Sequence, residues 1–137
     1  MLRLIVFPLV LLGCSTVSGT EVGAAAVEFC ELDRTPRSEE VRVIAVIETD
    51  NHHGMFIGSE KCSSKLRIGT TSGTSDISVE RFLSRVSEGG HLTWRTYRGE
   101  FSGHIVAPDE TKVRFELSRV HWFEESGAAE VNNDERD

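Results

Sequence analysis

Residues 41–48 read VRVIAVIE, and the strand that they predict is apolar on both of its faces. Alternate residues from Val41 to Ile47 form one apolar face, and Ile44 and Val46 lie in the middle of the other face. Because successive side chains of a strand point to opposite faces, a strand with two apolar faces must be covered on both sides. This run therefore predicts a central strand of a packed β structure.

Four further segments have the alternating or β-branched character of strands. We expect these strands at residues 54–59, 65–69, 91–106 and 112–120. Short polar connections join the first three strands of the chain, which is typical of an antiparallel meander. In the fourth strand, Gly99 and Gly103 are suited to bulges or sharp bends.

One short amphipathic helix is expected between the third and the fourth strand. Asp76 is a suitable N-cap, because its side chain can accept hydrogen bonds from the free N–H groups of a first helical turn. Four apolar residues then have the i, i+3, i+4 and i+7 spacing of one helical face, namely Val79, Phe82, Leu83 and Val86. Gly89 and Gly90 are expected to end the helix.

Three strands, one helix and two strands follow one another in the order of an OB-fold. We therefore predict a mainly β domain, a five-stranded OB-like Greek-key barrel with one short helix between strands 3 and 4. An α+β sandwich of the same elements is the alternative architecture. We place this single domain at residues 28–123 of the 137-residue chain, after a flexible tether at residues 14–27. The acid-rich residues 124–137 are expected to form a disordered tail.

The first fourteen residues, MLRLIVFPLVLLGC, have the pattern of a secretory signal. Arg3 precedes an apolar run that is much shorter than the roughly 20 residues needed to span a bilayer. The ending LLGC resembles the lipobox of bacterial lipoproteins. This resemblance implies a signal peptide at residues 1–13 and an acylated Cys14 that anchors the protein in the bacterial cell envelope, and Ser15 fits an outer-membrane location facing the periplasm. A plain secretory signal is the alternative.

Two cysteines, Cys30 and Cys62, remain when the lipidated cysteine is set aside. An even number of cysteines in an oxidising compartment favours a disulfide bond between them. Two free buried thiols are the alternative, and a metal site built on this pair lacks the CxxC spacing.

Several short motifs of low specificity are spread over residues 28–122. They are Cys30-Glu31-Leu32, Val41-Arg42-Val43, His53-Gly54, Cys62 and the stretch Gly99-Glu100-Phe101-Ser102-Gly103. In this pattern the chain resembles a loosely defined group of small bacterial envelope proteins. The resemblance implies a β-barrel fold and an envelope location, and it assigns no catalytic residues.

The stretch DNHHGMF places two adjacent histidines, His52 and His53, between two predicted strands. Two imidazoles can bind zinc or copper, and Asp50 could add a carboxylate, but adjacent side chains on a strand point apart. Asp, Asn and Gly are also the residues that a tight turn requires for backbone reasons. We interpret the stretch as a polar turn without a metal, and a periplasmic metal-binding protein using both histidines is the alternative function.

The face of strands 2 and 3, together with the loops beside it, is where OB barrels commonly bind ligands. In this chain the surface would include the connection at residues 108–111 and the candidate binding residues His52, His53, Phe56, Lys61, Lys65 and Arg67. Three cations and an aromatic ring could hold an acidic sugar or a peptide carboxylate. The structural alternative is that these cations only solvate the outer side of a half-buried sheet.

Charge and motifs argue against two classes of function. A formal net charge of −7 disfavours nucleic-acid binding, which requires a strongly basic surface. The sequence contains no G-x-S-x-G, no H-E-x-x-H and no phosphate-binding loop, so we expect neither an enzyme nor a cofactor. The leading hypothesis is a lipid-anchored envelope binding protein without catalytic activity that contacts a protein or glycan partner. A hydrolase with an unrecognised site is the remaining hypothesis.

Overall fold

The computed structural model describes residues 24–69, 76–90, 93–109 and 112–129. These residues form six strands, one α-helix and a short 3-10 helix at Phe29–Glu31. The elements are β1 (Val27–Glu28), β2 (Val41–Thr49), β3 (Met55–Ser59), β4 (Cys62–Gly69), α1 (Ile77–Ser87), β5 (Trp94–Asp109) and β6 (Lys112–Ala129). The mainly β class with one short helix is therefore as predicted. The signal peptide at residues 1–13, the lipidation site Cys14 and most of the tether lie outside the described residues.

All six strands belong to one sheet in which β2 and β5 hold central positions. The pairings run in a closed circuit from β2 through β3, β4, β6 and β5 back to β2. The pairs of this circuit are antiparallel except for β4 and β6, which run parallel over three residue pairs. β2 pairs along both of its edges, as a central strand does, and on its outer face Val46 is buried while Ile44 is only partly buried.

The strand β1 was not predicted, and it adds a sixth strand to the expected five. Val27, which we assigned to the tether, pairs in parallel with Val43 of β2. Since β5 pairs with one edge of β2 along its whole length, β1 and β3 share the other edge. The pairs between β3 and β2 begin only at Val46, so β1 supplies partners to the backbone groups that β3 leaves open.

The segment that follows β1 is tied to the start of β4. Cys30 and Cys62 lie at disulfide-bonding distance, with their Cα atoms 5.9 Å apart, which fits the predicted bridge. Phe29 beside Cys30 is fully buried in the core. The bridge and this ring together hold the amino-terminal segment against the sheet.

The core lies between the inner face of the sheet and α1. Its β residues include Val43, Ile47, Ile57, Ile68, Tyr97, Phe101, Ile105 and Phe115. Phe82 of α1 enters this core. The centroid of its ring lies 5.4 Å from that of Tyr97, 5.8 Å from that of Phe101 and 5.0 Å from that of Phe123. Fully burying one such side chain stabilises a protein by about 1.5–3 kcal/mol, so the apolar face of α1 is a main reason why the helix forms.

The ends of α1 also follow the prediction. The side chain of Asp76 accepts a hydrogen bond of 2.9 Å from the backbone N–H of Ser78, as an N-cap does. The helix stops at Ser87, before Gly89 and Gly90. In the described part of the chain, no helix has the length and apolar character needed to cross a membrane.

The carboxyl-terminal part of the domain differs from the prediction. The predicted domain ends at residue 123 and a disordered tail follows, whereas β6 continues to Ala129, which pairs with Trp94 of β5. The acids that suggested a solvated tail have cationic partners instead. Glu124 is paired with Arg98, and the carboxylate of Glu125 lies 3.1 Å from Nε of Arg95. Residues 130–137 lie outside the described part of the chain.

Candidate functional site

The connection between β2 and β3 is organised by a buried carboxylate. Asp50 is only 2% exposed, and its Oδ1 accepts from the backbone N–H groups of His52 at 3.0 Å and His53 at 2.8 Å. Its Oδ2 lies 2.5 Å from the ring Nδ1 of His53. The hydrogen bonds from the side chain and backbone of His53 lower the pKa of the Asp50 carboxyl well below its usual 3.8. Asp50 is therefore ionised at neutral pH and fixes the turn.

The next residue joins this connection to the helix. Asn51 has a positive φ of 59°, a left-handed conformation that asparagine tolerates better than most residues. Its side-chain Nδ2 donates to the backbone carbonyls of Val86 at 2.9 Å and Gly89 at 3.1 Å. The carbonyl of Val86 lies in the last turn of α1 and also accepts from the backbone N–H of Gly89 at 3.2 Å, while Gly89 lies just after the helix. The stretch DNHHG is thus a structural turn that also closes the helix.

The two histidines are placed on the surface by this turn, and they do not converge on a common point. Their ring centroids are 4.7 Å apart with an angle of 88° between the planes. Nδ1 of His53 is already bonded to Asp50, while the side chain remains 64% exposed. Among the residues that the structure describes, no three His, Cys, Asp or Glu side chains gather as a metal site.

Two of the three predicted cations are neutralised by neighbouring acids. Nζ of Lys61 lies 3.3 Å from Oε1 of Glu28, and Lys65 forms an ion pair with Glu48 on β2. An incoming anion would compete with these carboxylates for the ammonium groups. Lys61 and Lys65 are therefore weaker candidates for anion binding than the sequence suggested.

Arg67 differs from both lysines because the sheet places it beside a second arginine. Arg67 is paired with Phe56 on β3 and, on its other side, with Arg114 on β6. Lys112 lies two residues before Arg114 and therefore on the same face of β6. We call the surface formed by Phe56, Arg67, Lys112 and Arg114 the basic face.

The basic face borders an open groove of about 570 Å³. The groove is lined by Arg67, Ile68, Asp109, Lys112, Val113 and Arg114. Val113, which the alternation pattern placed in the core, is 36% exposed at this groove. It has the orientation of Phe115 and Leu117, but it lies beyond them at the end of the strand, next to the β5–β6 connection.

Neither arginine of the basic face forms a salt bridge with another residue that the structure describes. Like charges placed directly opposite each other destabilise a sheet, so the Arg67–Arg114 pair is unfavourable for folding alone. A guanidinium presents a planar fork of donors that matches a carboxylate or a phosphate. One anionic group between the two arginines would remove the repulsion and gain charge-assisted hydrogen bonds.

Two glycines leave room for these side chains. A Cβ atom at Gly54 would come within 3.2 Å of Nη2 of Arg67, and one at Gly69 within 3.1 Å of Cδ of Arg114. Gly54 also has a φ of 105°, which strongly favours glycine. The loop that contains the histidines therefore reaches the basic face through Gly54 and not through an imidazole.

Sequence patterns alone did not identify Lys112 and Arg114 as site residues. In the predicted strand, Lys112 and Arg114 alternate with Val113 and Phe115. The sequence therefore indicates that both side chains point outward. Their position beside Arg67 depends on the parallel pairing of β4 with β6, which joins segments almost fifty residues apart. The strand order of an OB barrel is the signal that places these two residues opposite each other.

Comparisons with known proteins add no name to this geometry. No protein-family model, no curated protein and no solved structure matches the chain.

Proposed function

We propose that this chain is a lipid-anchored envelope binding protein without catalytic activity, and that its basic face contacts anionic groups of a protein or glycan partner. The observation that carries the proposal is the direct pairing of Arg67 with Arg114. No described acid forms a salt bridge with either arginine, although Asp109 lines the same groove and the chain as a whole has a net charge of −7. A local cluster of positive charge on a chain that is negative overall favours an anionic ligand and speeds its association.

We also infer that the sheet closes as a five-stranded OB-like barrel, to which β1 adds a short extra strand. Support comes from the circuit of pairings, in which β2, β3, β4, β5 and β6 take the places of OB strands 1 to 5, with α1 between the third and the fourth. The ligand face of such a barrel is formed by its second and third strands and two neighbouring loops. Phe56 and Arg67 belong to those strands, so the basic face is where this fold would bind.

The proposal of a lipid anchor is based on the amino-terminal sequence. Several acyl chains on one cysteine hold a protein at a membrane stably, whereas one chain holds it weakly. Replacing Cys14→Ala should therefore release the protein from the membrane fraction, with Cys30 and Cys62 left to pair as before. Fractionation of cells that produce each form measures this. A Cys14→Ala protein that stays with the membrane would show that the anchor is wrong.

The ligand chemistry of the basic face can be tested with two carboxylate polymers, polygalacturonate for an acidic glycan and poly-L-glutamate for acidic peptide segments. The full chain in detergent micelles is titrated with each polymer by calorimetry. We expect the double variant Arg67→Gln/Arg114→Gln to bind the preferred polymer about 10- to 100-fold more weakly, since each hydrogen bond to a charged group contributes about 1.5–3 kcal/mol. Binding of the wild-type chain should also weaken with salt.

Arg98→Glu is the matched control. It lowers the net charge by two units, as the double variant does, but Arg98 lies exposed on β5, outside the basic face. The control should bind within about twofold of the wild-type chain. Equal binding by the double variant, or no binding of either polymer to the wild-type chain, would contradict the proposal.

A further inference from the structure

A second surface, separate from the basic face, is built around an exposed indole. Trp122 of β6 is 44% exposed and lies opposite Glu100 of β5. Its Nε1–H donates to Oε2 of Glu100 at 3.1 Å. The single polar atom of the indole is thus bonded, so the ring is fixed in orientation while part of it faces solvent.

The acceptor of this hydrogen bond is itself held in place. Oε1 of Glu100 accepts from Nε of Arg42 on β2, and the two side chains form an ion pair. The Glu100 side chain is only 14% exposed, whereas that of Arg42 is 35% exposed. Arg42, Glu100 and Trp122 therefore form a row across three strands whose two charges neutralise each other.

A third polar side chain beside Trp122, that of His121, is also positioned by a hydrogen bond. His121 lies in the bulge of β6, where Glu100 pairs with Trp122 and Phe101 with Val120. Its Nε2 is 2.8 Å from Oγ of Ser102. Desolvation and the neighbouring Arg42 guanidinium lower the pKa of His121 from its usual 6.5, so the ring is uncharged at neutral pH.

The Ser102–His121 contact does not make a nucleophile. Ser102 is only 3% exposed, so a substrate carbonyl has no access to its hydroxyl. Ser102 instead positions the imidazole of His121, whose residue is exposed. The three polar groups and the indole are therefore arranged for binding.

The indole adjoins a groove of about 370 Å³ between β6 and the first turns of α1. Ser78, Arg81 and the β6 residues from Val120 to Phe123 line this groove. Its size lies within the range of about 300–1,000 Å³ that is usual for small-molecule sites. It combines the rings of Trp122 and Phe123 with the polar side chains of Ser78, Arg81 and His121, whereas Arg42 and Glu100 lie outside its lining.

We propose that Trp122, Arg42, Glu100 and His121 form a carbohydrate-binding subsite for an uncharged pyranose ring. The C–H face of a sugar packs on the indole, whose π face carries negative potential. The fixed carboxylate, guanidinium and imidazole offer acceptors and donors to the sugar hydroxyls. Because Arg42 and Glu100 neutralise each other, the four residues of the subsite favour an uncharged sugar, and Arg81 in the adjoining groove is the one cation beside them among the residues that line it.

Preorganisation is the physical reason to expect useful affinity from so few groups. Each side chain that a ligand must immobilise costs about 0.5–1.5 kcal/mol, and here the described hydrogen bonds hold the side chains before binding. The subsite is also distant from the basic face, since Trp122 follows Arg114 by eight residues, or about 25 Å of strand. The two surfaces can therefore be tested independently.

The test uses the full chain in detergent micelles with two uncharged probes, the tetrasaccharides of N-acetylglucosamine and of glucose. The two tryptophans give two indole N–H signals in a proton–nitrogen NMR spectrum. We expect at least one tetrasaccharide to shift the Trp122 signal in a saturable way, with a dissociation constant of about 1 mM or lower. Trp122→Ala should abolish the saccharide-induced shifts of the backbone amide signals in the same spectrum, whereas the matched variant Trp94→Phe should leave them unchanged.

A second variant separates loss of the site from loss of the fold. Glu100→Gln keeps a side-chain oxygen for the indole but removes the ion pair with Arg42, and we expect it to weaken binding about threefold to tenfold while circular dichroism stays unchanged. No shift of the Trp122 signal with either tetrasaccharide at about 10 mM would overturn the subsite. Saccharide binding that persists in Trp122→Ala would overturn it as well. Neither result affects the arginines of the basic face.

Discussion

At the scale of single residues, Asn51 joins two parts of the molecule that are distant in sequence. Its left-handed backbone turns the chain after β2, and its amide bonds two carbonyls at the end of α1. Asp50 beside it fixes the following backbone through its carboxylate. The position of the helix end and the shape of the loop next to the basic face therefore depend on one pair of neighbouring side chains.

Replacing Asn51→Ala should destabilise the protein by about 2–3 kcal/mol, since two hydrogen bonds of about 1 kcal/mol each are lost and alanine disfavours the left-handed backbone. Asn51→Gly should cost less, because glycine accepts a positive φ. The free energy of unfolding in urea measures both effects. His52→Ala, at the exposed neighbour, is the control and should change stability by less than about 0.5 kcal/mol. An Asn51→Ala protein as stable as this control would contradict the described role.

At the scale of elements, the long β5–β6 hairpin owes its shape to bulges where glycine is required. The pairing shifts register between Glu100 and Phe101 and again between Ser102 and Gly103. A Cβ atom at Gly103 would lie 2.3 Å from the backbone oxygen of Glu116, and one at Gly99 2.3 Å from that of Trp122. The register shift at Gly103 fits the predicted bulge there, whereas Gly99 pairs with Phe123 and lies just before the nearest shift.

Replacing Gly103→Ala should destabilise the protein by about 1–3 kcal/mol or more, because the new methyl group meets backbone that cannot move aside easily. Gly90→Ala is a matched control, since a Cβ atom at Gly90 meets nothing within 4 Å. The control should be neutral or slightly stabilising, because alanine has less freedom in the unfolded chain. Thermal unfolding followed by circular dichroism compares the two. Equal melting temperatures for both variants would contradict the close approach at Gly103.

At the scale of the whole molecule, the predictable part of the fold is the part that local patterns encode. The alternation in β2 to β6 and the i, i+3, i+4 spacing of α1 follow directly from which face each residue buries. The two-residue strand β1 is too short to carry such a pattern. The prediction that the domain ends at residue 123 was wrong for a different reason. Glu124 and Glu125 suggest a solvated tail, whereas in the sheet Glu124 lies opposite Arg98 and Glu125 forms an ion pair with Arg95.

The candidate site was predictable to a similar extent. Phe56 and Arg67 lie on β3 and β4, the two strands to which the sequence assigned them. Lys61 and Lys65 lie on the predicted elements, but tertiary pairing gives each of them an acid as a partner. Arg114 becomes part of the site only through the parallel contact of β4 and β6, because charge compensation between strands is a property of the assembled sheet.

These features give the molecule an uneven distribution of charge. The chain as a whole has a net charge of −7. On its basic face, however, Arg67 and Arg114 lie opposite each other and form no salt bridge with a described acid. If the chain is anchored through Cys14, as we propose, this face would be accessible to other components of the envelope. Contact of a partner with the basic face is the central expectation from this arrangement.

The most direct test of that contact is photo-crosslinking in intact cells. A photoreactive amino acid is placed at Lys112, which lies exposed at the edge of the basic face, or at the exposed Arg98 of β5 as a control position. We predict a discrete adduct, of protein or glycan, from position 112 only. This adduct should disappear when Arg67→Gln/Arg114→Gln is added. Identical adducts from both positions, or an adduct from position 112 that persists in the double variant, would contradict a binding role for the basic face.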